Sequence, residues 1–188
     1  VDLHVHAPQY AFRGMCMDLE LMDWLNQYTF PEEEKYTNLD YAKKAYSIFT
    51  KALKKSATTR ACIFATRHRE ATVLLMELME KTGLVSYVGK VNMDREASQA
   101  LVEESVESSA YQTFGWINSV HNKFQNTKPI LTPRFIPCCT DELMEELKQI
   151  QMTYGIPVQS HLSESPGEIE FVKFLRPNNE FYGDAYND

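Results

Sequence analysis

The sequence predicts an α/β fold of the (β/α)8-barrel type, carried through about five βα units, and three observations support that expectation. Five apolar, β-rich runs recur along the 188 residues, at 1–6, 58–65, 86–91, 130–136 and 156–162. Each is followed by a stretch with helical periodicity, the pattern of a parallel sheet covered by helices. The turn after the first run, Ala7-Pro8-Gln9-Tyr10, lacks the glycines that a dinucleotide-binding, doubly wound sheet wants there, which favours the barrel.

In the first run, strand alternation points Val1, Leu3 and Val5 to one face, expected to be apolar core, and Asp2, His4 and His6 to the other. A helical stretch follows at 19–28. Next comes a helix whose Leu39, Ala42, Tyr46, Phe49 and Leu53 fall at three- and four-residue spacing. After the second run, 71–82 reads as a helix ended by Gly83 in the left-handed conformation. The third run leads into a long helical pattern over 95–124, which Gly115 weakens and could kink. The fourth helix, 141–154, has Thr140 as its N-cap and Gly155 as its stop. Ser165-Pro166-Gly167-Glu168 opens the fifth with the residues of a capping box.

Composition narrows the function. With 44% hydrophobic residues the chain can bury a real core, and a net charge of −7, with acids at 32–34 and 103–107, gives no footprint for nucleic acid. No apolar run reaches membrane-spanning length and the first residues lack the basic and apolar regions of a signal peptide, so the expectation is a cytoplasmic protein with no membrane partner. Cys16, Cys62, Cys138 and Cys139 show no disulfide framework and read as reduced thiols. Cys138-Cys139 lacks the gap of a Pro-Cys-x-x-Cys zinc signature.

Chemistry collects at the C-terminal ends of the runs, where a barrel places its active site. His4 and His6 share a strand face, and two neutral imidazoles can bind a divalent ion such as zinc without completing its four-coordinate shell. The alternative for an isolated His-x-His is a solvent-facing pair. His161 ends the fifth run and brings a third imidazole to the same rim. Glu164, at the entrance to the capped helix, could shuttle protons between a metal-bound water and a substrate; its bland reading is a helix-start acid. Arg134 lies late in the fourth run. His68 reads as surface and His121 as the polar side of a helix, so neither enters the site.

His4-Val5-His6-Ala7-Pro8-Gln9-Tyr10, Tyr28-Thr29-Phe30-Pro31, Val88-Gly89-Lys90-Val91, Thr132-Pro133-Arg134-Phe135 and Gln159-Ser160-His161-Leu162-Ser163-Glu164 resemble, in order and spacing, the guanine deaminases of the amidohydrolase superfamily. The similarity covers nearly the whole chain, as one partial metal-dependent barrel domain over 1–188. It implies zinc-dependent hydrolysis of guanine to xanthine and ammonia. It also implies His4, His6 and His161 as metal ligands, Glu164 as the catalytic proton carrier, and Gln9, Arg134 and Phe135 as the residues that bind the purine. Zinc and iron both suit such ligands.

In that family a further histidine and an aspartate follow on later strands, and a small β-sandwich flanks the barrel; this sequence contains neither. The expectation is therefore a piece of such an enzyme, inactive alone, with weak or absent zinc. Its two unpaired sheet edges favour a homo-oligomer. Two alternatives are an amidohydrolase acting on another aminated ring, such as a triazine or cytosine, and a non-catalytic piece with a vestigial metal site.

Overall fold

Consecutive right-handed βα units set their strands side by side in chain order. The computed structural model, which describes residues 1–187, has that arrangement. Strand β1 (Asp2–His6) pairs with β2 (Arg60–Phe64), β2 with β3 (Val85–Gly89), and β3 with β5 (Thr127–Pro129). The sheet continues where β4 (Val91–Asn92) pairs with β6 (Thr132–Pro133) and Leu131 bridges Val158. Every pairing is parallel and the order never reverses, as it would in a doubly wound sheet. The fold is a partial α/β barrel.

The strands are more broken than their sequence suggests. The third run is split at Lys90, whose side chain dives to Glu103, and in place of the fourth, expected at 130–136, two short strands lie at 127–129 and 132–133, each ending in a proline without an N–H. The fifth run makes only one bridge: Leu131 N–H donates to Pro157 O at 3.0 Å and Gln159 N–H donates to Leu131 O at 2.9 Å. Beyond Val158 side chains hold the segment in place of a ladder.

The expected apolar face of β1 is also corrected, since Val1 is 78% and Leu3 73% exposed. Three steps along β1, from Asp2 to Val5, match two along β2, from Ala61 to Ile63, so the edge strand carries a bulge that interrupts alternation. Asp2 Oδ1 accepts from the His4 N–H at 3.2 Å within it.

Among the described residues seven α-helices clothe the sheet. After β1 the chain runs through α1 (Leu21–Trp24), a π-helical turn (Leu25–Thr29) and α2 (Phe30–Glu34), extending the helical stretch expected at 19–28. Helix α3 (Leu39–Lys55) is capped by Asn38 and buries Ala42, Tyr46, Phe49 and Leu53, whereas Leu39 stays exposed. Helices α4 (Arg69–Glu80), α5 (Val106–Val120) and α6 (Asp141–Tyr154) follow around the outer face, each against the one before. Gly83 (φ 77°) and Gly155 (φ 62°) take the left-handed conformation expected of them. Thr140 caps α6, and Ser165 with Glu168 forms the capping box of α7 (Pro166–Leu175). No helix among the described residues is long and apolar enough to cross a membrane.

The helix expected over 95–124 begins only at Val106. The preceding loop turns through Glu96 at φ 46° and carries the Glu103 carboxylate into the interior. There it receives Lys90 Nζ at 2.6 Å and the Met93 N–H at 3.1 Å. Burying a carboxylate requires such partners, and meeting them is incompatible with a continuous helix. Gly115 does not break α5; its carbonyl accepts from Arg69 Nη2 at 3.1 Å.

Gly89 is required by space. A Cβ there would lie 1.7 Å from Thr132 Oγ1 and 2.9 Å from Gln159 Nε2, which are themselves joined at 2.9 Å across the inner face. Gly89→Ala is expected to destabilise the fold by about 3 kcal/mol or more, the upper end of overpacking costs. Urea denaturation followed by circular dichroism checks this, and an unchanged midpoint would contradict the packing described.

Candidate metal centre and active site

Three imidazoles meet at the C-terminal end of the sheet. His4 and His6 come from β1 and His161 from the extended segment after Val158, and one ligand nitrogen from each lies within 4.8 Å of the others. His6 Nε2 faces His161 Nε2 at 2.9 Å. Phe64, fully buried at the end of β2, forms their floor. It stacks on His6 with centroids 4.5 Å apart and touches His161 at 4.5 Å and His4 at 5.0 Å.

A backbone carbonyl sets the tautomer of His161. Its Nδ1 lies 2.6 Å from Arg134 O, which can only accept, so Nδ1 carries the proton and Nε2 keeps its lone pair toward the other imidazoles. Burial holds all three rings neutral. Desolvation lowers the pKa of His161 to about 3, against the raising effect of its bond to Arg134 O. His6 is pushed well below the usual imidazole range by burial and then by His161, Arg134 and His4. His4, more exposed, is lowered by burial in spite of Asp2. Neutral imidazoles with converging nitrogens are the donor set of a borderline divalent ion, and these residues fit one.

Arg134 is the largest charged side chain buried here. Its Nη1 donates to both oxygens of Glu33, at 2.8 and 3.1 Å, and its guanidinium lies 5.0 Å from the Phe30 ring centroid. Burial works against its charge, yet the Glu33 carboxylate outweighs that and raises its pKa. Glu33 reads in sequence as one member of a surface acidic run, but it is fully buried on α2. An acid set between Phe30, Pro31 and the buried Tyr36 was the available signal. His68, expected at the surface, is half-buried before α4, with Tyr36 and Leu39 around the same small cavity.

These groups line a cavity of about 380 Å³, within the range of small-molecule sites. All seven residues singled out from the sequence, His4, His6, Gln9, Arg134, Phe135, His161 and Glu164, lie in its wall. Gln9 sits on a 3-10 turn (Pro8–Phe12) tied down by Tyr36, whose hydroxyl donates to Pro8 O at 3.2 Å. Phe135 packs edge-on to His161 at 6.3 Å. Glu164 Oε1 is 3.9 Å from His161 Nε2, and its pKa is raised by burial and then by Glu168, against Arg134.

The apolar wall formed by Tyr10, Met17, Leu21, Trp24 and Leu25 was not foreseen. Trp24 fixes it, donating from Nε1 to Met15 O at 3.1 Å. Glu20 then latches this wall to α7: its carboxylate accepts from the Met22 N–H at 2.9 Å and from Ser165 Oγ at 2.5 Å. Gly167 allows the contact, because a Cβ there would lie 2.6 Å from Glu20 Oε1.

Comparison with known proteins follows the same lines. The amidohydrolase family profile matches residues 1–182. The chain is 42% identical to guanine deaminase of Rattus norvegicus over 188 residues, which is all of this chain and 41% of the rat protein. It superposes with a TM-score of 0.95 and 47% identity on guanine deaminase from C. acetobutylicum, solved with guanine in its active site, covering 99% of this chain and 44% of that one. Atrazine chlorohydrolase from Arthrobacter aurescens TC1, solved with zinc, shares the fold at a TM-score of 0.79 and 14% identity, over 98% of this chain and 45% of its own. The chain thus spans about two fifths of the length of the curated relatives it matches, and it belongs to the amidohydrolase family.

Proposed function

We propose that this chain carries the first part of the active site of a zinc-dependent guanine deaminase, which hydrolyses guanine to xanthine and ammonia. The observation that carries the reading is that all seven predicted residues line one cavity. The similarity to proteins named guanine deaminase, one of them solved with guanine bound, supports it. In this reading residues 1–188 are one part of a barrel domain, and the activity belongs to the whole protein.

His4, His6 and His161 would hold the ion, and the remaining ligands would come from the family's later strands, where the resemblance places a histidine and an aspartate. When bound, such an ion supplies Lewis acidity and acidifies water at neutral pH. Glu164 lies near enough to His161 for its Oε1 to take a proton from water and deliver it to a ring nitrogen of the purine. Its raised pKa suits a group that must hold the proton between those steps. Water adds at the ring carbon; the hydroxyl so formed gives its remaining proton to the exocyclic amine and becomes the carbonyl of xanthine as the carbon–nitrogen bond breaks and the amine leaves as ammonia. Gln9 and Arg134 would pair with the polar edge of the ring while Phe135 lies against its face, and the Trp24 wall excludes bulk water.

Four outcomes are expected. In the complete enzyme Glu164→Gln lowers kcat by about 10²–10⁴-fold with bound zinc unchanged. Gln9→Ala raises KM for guanine about tenfold with little change in kcat. Steady-state assay of ammonia release with metal analysis checks both, and normal kcat in the Glu164 variant would contradict the role assigned. Arg134→Ala acts on stability, since it leaves Glu33 buried without a partner. Unfolding should become easier by about 3–5 kcal/mol, and the double substitution with Glu33→Gln should recover part of that in a denaturation series.

The fourth outcome concerns pH. With chelator present, His161 titrates near 3 when folded and near its ordinary 6.5 when unfolded. The unfolded chain therefore binds the extra proton, and stability is full above about pH 6.5 and falls as the pH drops toward 3. The slope is at most about 1.4 kcal/mol per pH unit for each such imidazole. Urea midpoints between pH 6.5 and 5 measure it, and His161→Gln should flatten the dependence.

A further inference from the structure

Ser163 stands between His161 and Glu164 with φ 56°, a left-handed conformation that a residue with a Cβ keeps only when its surroundings hold it there. The residues around it are tied, directly or through Glu168, to a 3-10 turn later in the chain, Tyr182–Tyr186. Tyr186 Oη donates to His161 O at 2.5 Å and lies 2.9 Å from Ser160 Oγ. Ser160 Oγ in turn donates to Arg134 O at 3.2 Å, the same carbonyl that fixes the His161 ring. His161 is thus held at its backbone by one group and at its ring by another.

On the other side of Ser163 lies Glu168, a fully buried carboxylate. A capping box asks it only to accept from the Ser165 N–H, and it does so at 3.3 Å. Its shorter bond, 2.6 Å, is to the Glu164 N–H one residue earlier, and its second oxygen accepts from Tyr182 Oη at 2.5 Å. The Tyr182 and Tyr186 rings lie parallel, with centroids 6.2 Å apart. Both pack on Ile136, Val172 and Ala185, a small core separate from the main one. The brace therefore has its own anchorage.

We propose that the Tyr182–Tyr186 turn is a positioning device for the reacting loop, with Tyr186 setting His161 and the Tyr182–Glu168 pair setting Glu164. None of the three touches the cavity; each acts through the backbone of a residue that lines it. The assignment rests on the reading of His161 as ligand and Glu164 as proton carrier, and it divides the two roles between two tyrosines whose ring centroids are 6.2 Å apart.

That division supplies the test. In the complete enzyme Tyr186→Phe should weaken zinc affinity by about tenfold, the lower end of what loss of an outer-shell partner costs, measured by chelator competition. Once saturated with zinc it should keep kcat within about twofold of the parent. Tyr182→Phe should leave zinc affinity unchanged and lower kcat by about tenfold at unchanged KM, as misplacement of a reacting group does. Hydrogen exchange at the Glu164 and Ser165 amides, read without guanine, should speed up in Tyr182→Phe and Glu168→Ala and stay slow in Glu168→Gln, which keeps an acceptor. Zinc affinity and kcat falling together in both tyrosine variants, or neither changing, would overturn the proposal. Absence of guanine turnover in the parent would instead overturn the functional reading, and the exchange and zinc measurements would still decide the brace.

Discussion

A buried guanidinium is tolerable only where its charge is met, and the contact of Arg134 with Glu33 at 2.8 Å is the constraint on which the site depends. The pair joins α2 to the end of β6, two segments about a hundred residues apart in sequence. The main chain of Arg134 works as hard as its side chain: its N–H donates to Asn92 O at 3.1 Å, and its carbonyl orients His161. Imidazole orientation, cavity wall and strand order therefore meet at one residue. An Arg-to-Lys exchange would not be neutral here, because an ammonium cannot reproduce the planar donor set facing Glu33 and the Phe30 ring.

The imidazoles obey a complementary constraint. Desolvation penalises only their charged form, so seating them on Phe64 keeps them neutral, and a neutral ring with a fixed tautomer is what a metal requires. The bulge in β1 belongs to the same solution. It gives up a regular core face at Val1 and Leu3 and lets His4 and His6 both approach His161, with centroids 4.8 and 5.0 Å away. Bulges concentrate where a side chain must be re-aimed, as here.

Much of this was legible in the sequence because the relevant rules are local. Strand alternation pairs His4 with His6, the capping box at Ser165 and Glu168 is a four-residue pattern, and the placement of functional groups at strand ends follows from barrel architecture. Residues whose roles depend on distant partners were not legible. Glu33 and Glu103 read as acidic surface, yet both are buried against cations 101 and 13 residues away. Phe64 reads as one more apolar strand residue, and Glu20 as a solvated acid. The helix expected over 95–105 failed for the same reason, since periodicity cannot register a carboxylate drawn inward by Lys90.

The apolar wall and the reacting loop are mechanically one unit. Glu20 caps α1 through Met22 and grips Ser165, whose hydroxyl also accepts from the Glu168 N–H as the N-cap of α7. Ser165 adjoins Glu164, so a displacement of the wall is transmitted within one residue to the carboxylate proposed to carry the proton. Glu168 resists from below, through bonds to the N–H groups of Glu164 and Ser165. The start of α7 is thus held between an exposed carboxylate that belongs to the wall and a buried one that belongs to its own first turn. The outer contact lies in solvent and yields readily, whereas the inner one is desolvated and stiff. A displacement of the wall thus reaches the Glu164 backbone only through the yielding Glu20–Ser165 contact, and the buried Glu168 bonds resist it.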